Sequence, residues 1–320
     1  MLWYYILFFL GCCLLFYFSG EWVVKSLMRI AKYLGWREFV VAFLVMAFAS
    51  SLPNLFVGIF SALKGIPQLS FGDIVGGNVI DLTLAIALAV FFAGGSIPAE
   101  SRTVQTTSIF TIISAILPLF LILDGTLSRI DGVLLIAFFI FYLSWLFSKK
   151  ERFTKVYDER EEVPFVKEFK LFLNDIGKVV LGIIVLIWAA NGIVHAASYF
   201  AESLHLPISL IGILIVALGN ALPETYFAIA SAREGDTWMI LGDLMGSIII
   251  PATFVLGMVA LIYPIKVTNF SPFIIARFFL IISALFFLFF VRTDRKITKK
   301  EAFFLLTTYL LFVLIEILSV

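Results

Sequence analysis

The 320-residue chain has only two cysteines and two histidines, and only 14% of its residues are charged. Cys12 and Cys13 are adjacent inside the first apolar run, so they offer neither a disulfide framework nor the ligand spacing of a zinc site. The net charge is +1 and no basic patch stands out, so nucleic acid is not an indicated partner. The basic leader that should precede Phe9-Leu10-Gly11-Cys12 in a lipoprotein or secretory signal is missing, which argues against lipidation or cleavage.

What is abundant is apolar. Hydrophobic residues make up 62% of the chain, with 36 Phe, and apolar runs of 18 or more recur. A water-soluble core could not hide this surface, so the class is an all-α polytopic membrane protein. Ten spans can be drawn, at 2–20, 38–63, 69–93, 103–123, 127–147, 175–200, 207–232, 237–262, 270–291 and 301–318. Glu21, Lys25, Arg29 and Lys32 mark 21–37 as an interfacial extension of the first helix. The charged stretch 148–172 reads as a solvated linker without any Asp-x-Asp-x-Asp-Gly calcium loop. It divides the chain into five spans over 1–147 and five over 173–320.

Seventeen Lys and Arg fall in the odd-numbered loops against three (Lys64, Arg129, Lys266) in the even-numbered ones. The positive-inside rule then puts 148–172 in the cytoplasm and both termini outside a plasma or inner membrane. Trp3, Trp22, Trp36, Trp145 and Trp238 fall near span ends, as an aromatic belt would. Asp124, Asp131 and Glu316 are expected near the interfaces, and His195 and His205 as ordinary polar residues towards the outer side.

A shift of 170 residues lays 44–83 over 214–253 without a gap, and thirteen of the forty pairs are identical. The identities include Pro53/Pro223, Gly65/Gly235, Gly72/Gly242, Asp73/Asp243 and Gly76/Gly246, which apolar bias cannot explain. An odd number of spans per copy makes the second half enter the membrane in the opposite sense, an inverted-topology repeat. Secondary transporters use that plan, with sites at the repeat interface on discontinuous helices. Pro53 and Pro223 in spans 2 and 7, with Gly76-Gly77 and Gly246-Ser247 in spans 3 and 8, predict four broken helices around one site. Gly58, Gly65 and Gly72 read as close-packing positions.

The polar groups at these places are almost all oxygens: Ser50, Ser51, Ser247, Asn54, Asn78, Asn220, Asp73, Asp81, Glu224 and Asp243. That set suits Ca²⁺, Mg²⁺ or Na⁺ rather than zinc or copper. Carboxylates at mid-bilayer cost about 2.5–3.5 kcal/mol each and need cations or protons to neutralise them. The absence of Lys or Arg among them excludes an anionic substrate. Asp73 and Asp243 could be ligands or could cap a broken helix at its N-terminus.

The two blocks, Ala47-Phe48-Ala49-Ser50-Ser51-Leu52-Pro53-Asn54 with Gly72-Asp73-Ile74-Val75-Gly76-Gly77-Asn78, and Ala217-Leu218-Gly219-Asn220-Ala221-Leu222-Pro223-Glu224 with Gly242-Asp243-Leu244-Met245-Gly246-Ser247, carry a resemblance. They resemble the α-repeats of the Na⁺/Ca²⁺-exchanger-like proteins of the cation/Ca²⁺ antiporter superfamily. The resemblance implies cation sites between spans 2, 3, 7 and 8, with helices 1 and 6 sliding past that core. It makes Glu224 the central Ca²⁺ ligand, Ser50, Ser51 and Ser247 hydroxyl ligands, and the carbonyls of Ala47 and Ala217 further ligands. Asn54 stands where the family usually has glutamate, Asn220 where Thr or Ser is usual, and Gly77 where Ser is usual. Asp81 falls on a site position whose second-half mate is Pro251. Asp73 and Asp243 replace the usual Asn of both Gly-Asn motifs.

The expected function is therefore Ca²⁺ extrusion coupled to Na⁺ entry, without enzymatic activity, catalytic residues or a cofactor. A proton-coupled exchanger is the alternative, and a passive channel or an intramembrane aspartyl protease the rivals of another class. The protease would need two Asp sharing a proton, but the fuller Gly-x-Gly-Asp signature is absent at both sites.

Overall fold

A computed structural model describes residues 1–33, 47–100, 102–148, 165–235, 237–267 and 271–319. Most of the expected linker and the start of the second span lie outside these residues. The described chain is helical apart from four short strands.

In order, the helices are α1 (Leu2–Tyr33), α2 (Ala47–Leu63), α3 (Gln68–Phe92), α4 (Arg102–Leu121), α5 (Arg129–Ser148), α6 (Phe165–Leu204), α7 (Ile208–Glu234), α8 (from Thr237 to Ile262), α9 (Ser271–Thr293) and α10 (Lys299–Leu318). Among the described residues, nine are long and apolar enough to cross a membrane, and α2 is a shorter apolar helix. The chain is a polytopic all-α membrane protein. The interfacial extension expected at 21–37 is continuous with α1, up to Tyr33.

The helices are not broken where proline and glycine predict. α2 runs unbroken through Pro53 and α7 through Pro223. α3 and α8 likewise stay helical through Gly76-Gly77 and Gly246-Ser247. Each proline removes one amide, leaving the carbonyls of Ala49 and Gly219 without their usual helical donor, and neighbouring turns hold the helix together. The irregularity appears instead as π-helical turns at Asp81–Ala85, Pro251–Val255 and Gly212–Val216. Such wide turns insert a residue and re-aim side chains, often at functional sites.

Several features recur at the 170-residue offset. The π turns of α3 and α8 begin at Asp81 and Pro251. Gly65 and Gly235 close α2 and α7 with φ of 73° and 84°. Gly65 is thus a left-handed turn residue rather than a packing position. The strands obey the same offset: β1 (Ser96–Pro98) pairs antiparallel with β4 (Lys296–Thr298), and β2 (Thr126–Leu127) with β3 (Ile265–Lys266). Each pair ties a loop of the first half of the chain to a loop of the second.

α2, α3, α7 and α8 pack at the centre, and glycine sets how closely. A Cβ on Gly72 would sit 2.3 Å from the Ser209 carbonyl oxygen, and one on Gly76 2.2 Å from that of Ile213. Gly212 meets the Leu69 carbonyl at 2.5 Å, and Gly246 meets the Ala47 side chain at 2.5 Å. Only hydrogen fits at these crossings. Outside them, α1 and α6 pack along their length, with Val23 over Gly182 and Cys12 over Gly192. The Arg29 guanidinium binds both oxygens of Asp175, at 2.8 and 2.6 Å, which joins the two helices near one end.

Candidate cation site

The central crossing encloses a cavity of about 10 Å³, room for one water-sized particle. Eight of the twelve residues expected at the site line it: Asn54 from α2, Asp73, Asn78 and Asp81 from α3, Ala217, Asn220 and Glu224 from α7, and Ser247 from α8. Ile74, Gly77, Ala221 and Pro251 complete the wall. A Cβ on Gly77 would meet nothing within 4 Å, so losing the serine usual there leaves open space.

Two hydrogen-bond groups organise these side chains across the helices. Asn220 Nδ2 donates to Asn54 Oδ1 at 2.8 Å and to both oxygens of Asp73 at 3.0 and 2.8 Å. Ser247 Oγ donates to Asp81 Oδ2 at 2.7 Å. Three buried oxygens have no hydrogen-bond partner among the described residues: Asp81 Oδ1, Asn220 Oδ1 and Glu224 Oε2. All three belong to residues that line the cavity. Buried acceptors without donors are costly, and a bound cation is the natural complement to an all-acceptor set. Asp73, Asp81, Glu224 and Asp243 are each buried, and no Lys or Arg lines the cavity.

No cluster of three or more His, Cys, Asp or Glu stands close enough to hold one metal ion among the described residues. A cation here would therefore be held by mixed carboxylate, amide and hydroxyl oxygens, a donor set suited to hard ions.

Four expected residues lie elsewhere. Ala47 is packed against Gly246, and its carbonyl accepts from Ser51 Oγ at 2.7 Å and Ser50 Oγ at 3.2 Å. Neither that carbonyl nor Ser51 faces the cavity. Ser50 and Asp243 line a larger crevice between α1 and α7. Neither aspartate is a helix cap: Asp73 lies inside α3 and Asp243 inside α8, each well past the first turn. Gly72, by contrast, does pack closely as expected.

The family model for sodium/calcium exchanger proteins matches residues 4–148 and 175–318. The chain belongs to the sodium/calcium exchanger family. Membership makes it a membrane transporter rather than an enzyme. It is 26% identical to the sodium/calcium exchanger MaX1 of Methanosarcina acetivorans, over 93% of this chain and 94% of that protein. It is 28% identical to a membrane protein of Methanocaldococcus jannaschii over 75% of this chain and 76% of that one. Its fold matches crystal structures of the exchanger NCX_Mj, for instance one soaked with Na⁺ and Sr²⁺, with a TM-score of 0.69 at 24% identity over 98% of this chain and 99% of that one.

Within the exchanger family frame, two features were not legible in the motifs. Ile74 and Ala221 add to the apolar part of the cavity wall, one residue after Asp73 and Asn220, where a side-chain inventory of oxygens could not find them. Glu316, expected near the interface, is fully buried, and neither of its carboxylate oxygens has a hydrogen-bond partner among the described residues. It lies on the buried α10 stripe of Ala302, Leu305, Thr308 and Phe312, whose spacing could have revealed it.

Proposed function

We propose that this chain exchanges cations across a plasma or inner membrane by alternating access, extruding Ca²⁺ against Na⁺ entry. The observation that carries the reading is the trio of buried, donor-free oxygens on Asp81, Asn220 and Glu224 around a cavity of about 10 Å³. Glu224 and Asp81 supply the main charges, and Ser247, Asn220, Asn54 and Asn78 complete the oxygen shell. Asp73 and Ala217 stand at the same wall, while Ser50, Ser51, Asp243 and the carbonyl of Ala47 would join only when the helices rearrange. Carboxylates of this kind can take one divalent ion or several monovalent ones. Only a site neutral enough to be buried can change the side it faces.

The same reading takes 1–147 and 173–320 as inverted five-helix repeats, joined by a cytoplasmic 148–172 with both termini outside. Support comes from the π turns at Asp81 and Pro251 and from strand pairs that exchange partners between the halves. The family relationship to MaX1, a named sodium/calcium exchanger, favours Na⁺ as the counter-ion. A proton-coupled exchange is the second reading. It is favoured by Asp243, a buried carboxylate with no hydrogen bond among the described residues.

The test is ⁴⁵Ca²⁺ uptake into proteoliposomes under an imposed Na⁺ or H⁺ gradient. Uptake uphill under the Na⁺ gradient is expected. Uptake under the H⁺ gradient alone would replace the coupling ion, downhill flux without any counter-ion would indicate a channel, and no flux under either gradient would sink the exchange reading.

A further inference from the structure

α1 and α7 touch at one end and part at the other. Cys13 Sγ lies 2.8 Å from where a Gly219 Cβ would be, and Phe9 Cζ 3.3 Å, so the helices are in direct contact there. Further along, Tyr17 and Tyr226 still meet edge to face with centroids 5.2 Å apart. This stretch of the two helices, with Phe16, Tyr17, Pro223 and Tyr226, also borders a crevice of about 410 Å³. Of its charged lining residues, Glu224 and Asp243 are buried, whereas Glu21, Lys25 and Glu234 are partly or fully exposed and mark its open side. Glu224 also lines the central cavity, so the two spaces share that side chain. Its buried Oε2 has no hydrogen-bond partner among the described residues.

The lining charges are unequal: four carboxylates against one ammonium. Such groups at membrane depth are tolerable where water reaches them. A low-dielectric cleft focuses the field of an uneven charge set and raises the local concentration of the opposite ion. Lys25 is the exception, and its partner on the same helix face is Glu21, one turn before it.

We infer that the α1–α7 crevice is the aqueous path to the central site, and that Glu21, Lys25 and Glu234 at its mouth form a charge filter that concentrates cations. Glu21 cancels Lys25, leaving Glu234, Asp243 and Glu224 as the net field along the path. Lys25 therefore sets how strongly the filter attracts cations and holds it below its maximum. Only the flux part of the test below rests on the exchange reading; the labelling part is independent of transport.

Ala230 lines the crevice on α7, and the natural thiols Cys12 and Cys13 are buried. Ala230→Cys gives a reporter whose reaction with cationic and anionic methanethiosulfonates of similar size reads the local potential. The cationic reagent should react faster, by about ten-fold or more at low salt, and the ratio should shrink as ionic strength rises. Lys25→Gln should widen the ratio, Glu21→Gln and Glu234→Gln should narrow it, and Glu21→Gln/Lys25→Gln should return close to the parent. Val24→Cys, on the facing helix, supplies the same reading if the Ala230 variant does not fold. In flux, Glu21→Gln should raise KM for Ca²⁺ about two- to five-fold and Lys25→Gln should lower it by a similar factor, with little change in maximal rate. A merely structural ion pair would make both single variants shift the same way. That result, an anionic reagent that reacts as fast as the cationic one, or a thiol that does not react at all would overturn the inference.

Discussion

Asp73 and Asp243 occupy the same place in the two copies of the repeat, in the same Gly-Asp-x-x-Gly context, yet their surroundings differ. Asp73 is gripped through both oxygens by the amide of Asn220, whereas Asp243 has no hydrogen bond among the described residues and faces the crevice. The residue opposite each aspartate differs. Ser50, the repeat mate of Asn220, has a short side chain that turns back to the Ala47 carbonyl at 3.2 Å and cannot reach across. The first half-site is therefore latched to α7, while the second lies open. Under the proposed exchange, such a difference between matching positions is what alternating access between two sides would use.

The largest effect should come from the charge that sits on one half only. Glu224→Gln should cut Ca²⁺ flux by more than about 100-fold, because removing the proposed central ligand should exceed the 10–100-fold typical of groups that merely support one. If the halves were interchangeable, Asn54→Glu in that background would restore flux. We expect it not to, since Asn54 Oδ1 is held by Asn220 at 2.8 Å and a longer carboxylate there would crowd Asp73. Recovery to near parental rate would show that the latch does not distinguish the halves.

Asp81 and Pro251 make the second contrast, a carboxylate and an imide at the start of matching π turns. Asp81→Asn, the loss of the second proposed charge, should weaken Ca²⁺ uptake by about 100-fold, at the top of the range for groups that only support a ligand. Ser247→Ala should cost about ten-fold, the worth of a lost hydrogen bond to a charged group, by freeing Asp81 Oδ2 from its 2.7 Å donor. Equal losses for the two variants would mean the hydroxyl contributes as much to the shell as the carboxylate it bonds. Both are read as KM against maximal rate in the same proteoliposome assay.

The polytopic all-α class was legible because a bilayer leaves the backbone few choices, and the repeat shows in the sequence itself because proline, glycine and aspartate recur at a fixed offset. The convergence of Asn54, Asp73, Asp81, Asn220, Glu224 and Ser247 was legible for the same reason: oxygens in apolar helices need a shared destination. Helix breaks were over-read. Pro53 deletes one amide, which a packed helix absorbs, whereas the π turn at Asp81 carries no proline or glycine to announce it. That Ser51 and Ala47 stand outside the cavity was hidden, because a serine hydroxyl in a helix can bond its own backbone, which leaves no trace in the motif. The Asn220–Asp73 latch was equally hidden, since it depends on the close α3–α7 crossing at Gly72, Gly76 and Gly212.

The smallest effect tests the latch itself. Asn220→Ser gives α7 the residue α2 has at the same place, so Asp73 should lose its donors and the two halves should become alike. Losing a buried partner costs about 1–3 kcal/mol, and at about 2–4 °C per kcal/mol the melting temperature in detergent should fall by a few degrees. The reverse exchange, Ser50→Asn, offers Asp243 an amide from α2 and should raise it if that amide reaches. The two changes separate causes. If only the Asn220 variant shifts, the α3–α7 crossing sets the asymmetry; if both shift in opposite directions, the residue at 50 and 220 does. Because Asp243 faces the crevice, Ser50→Asn should also slow modification of an Ala230→Cys thiol, whereas Asn220→Ser should leave that rate unchanged. A latch that only stiffens the fold would leave both labelling rates where they were.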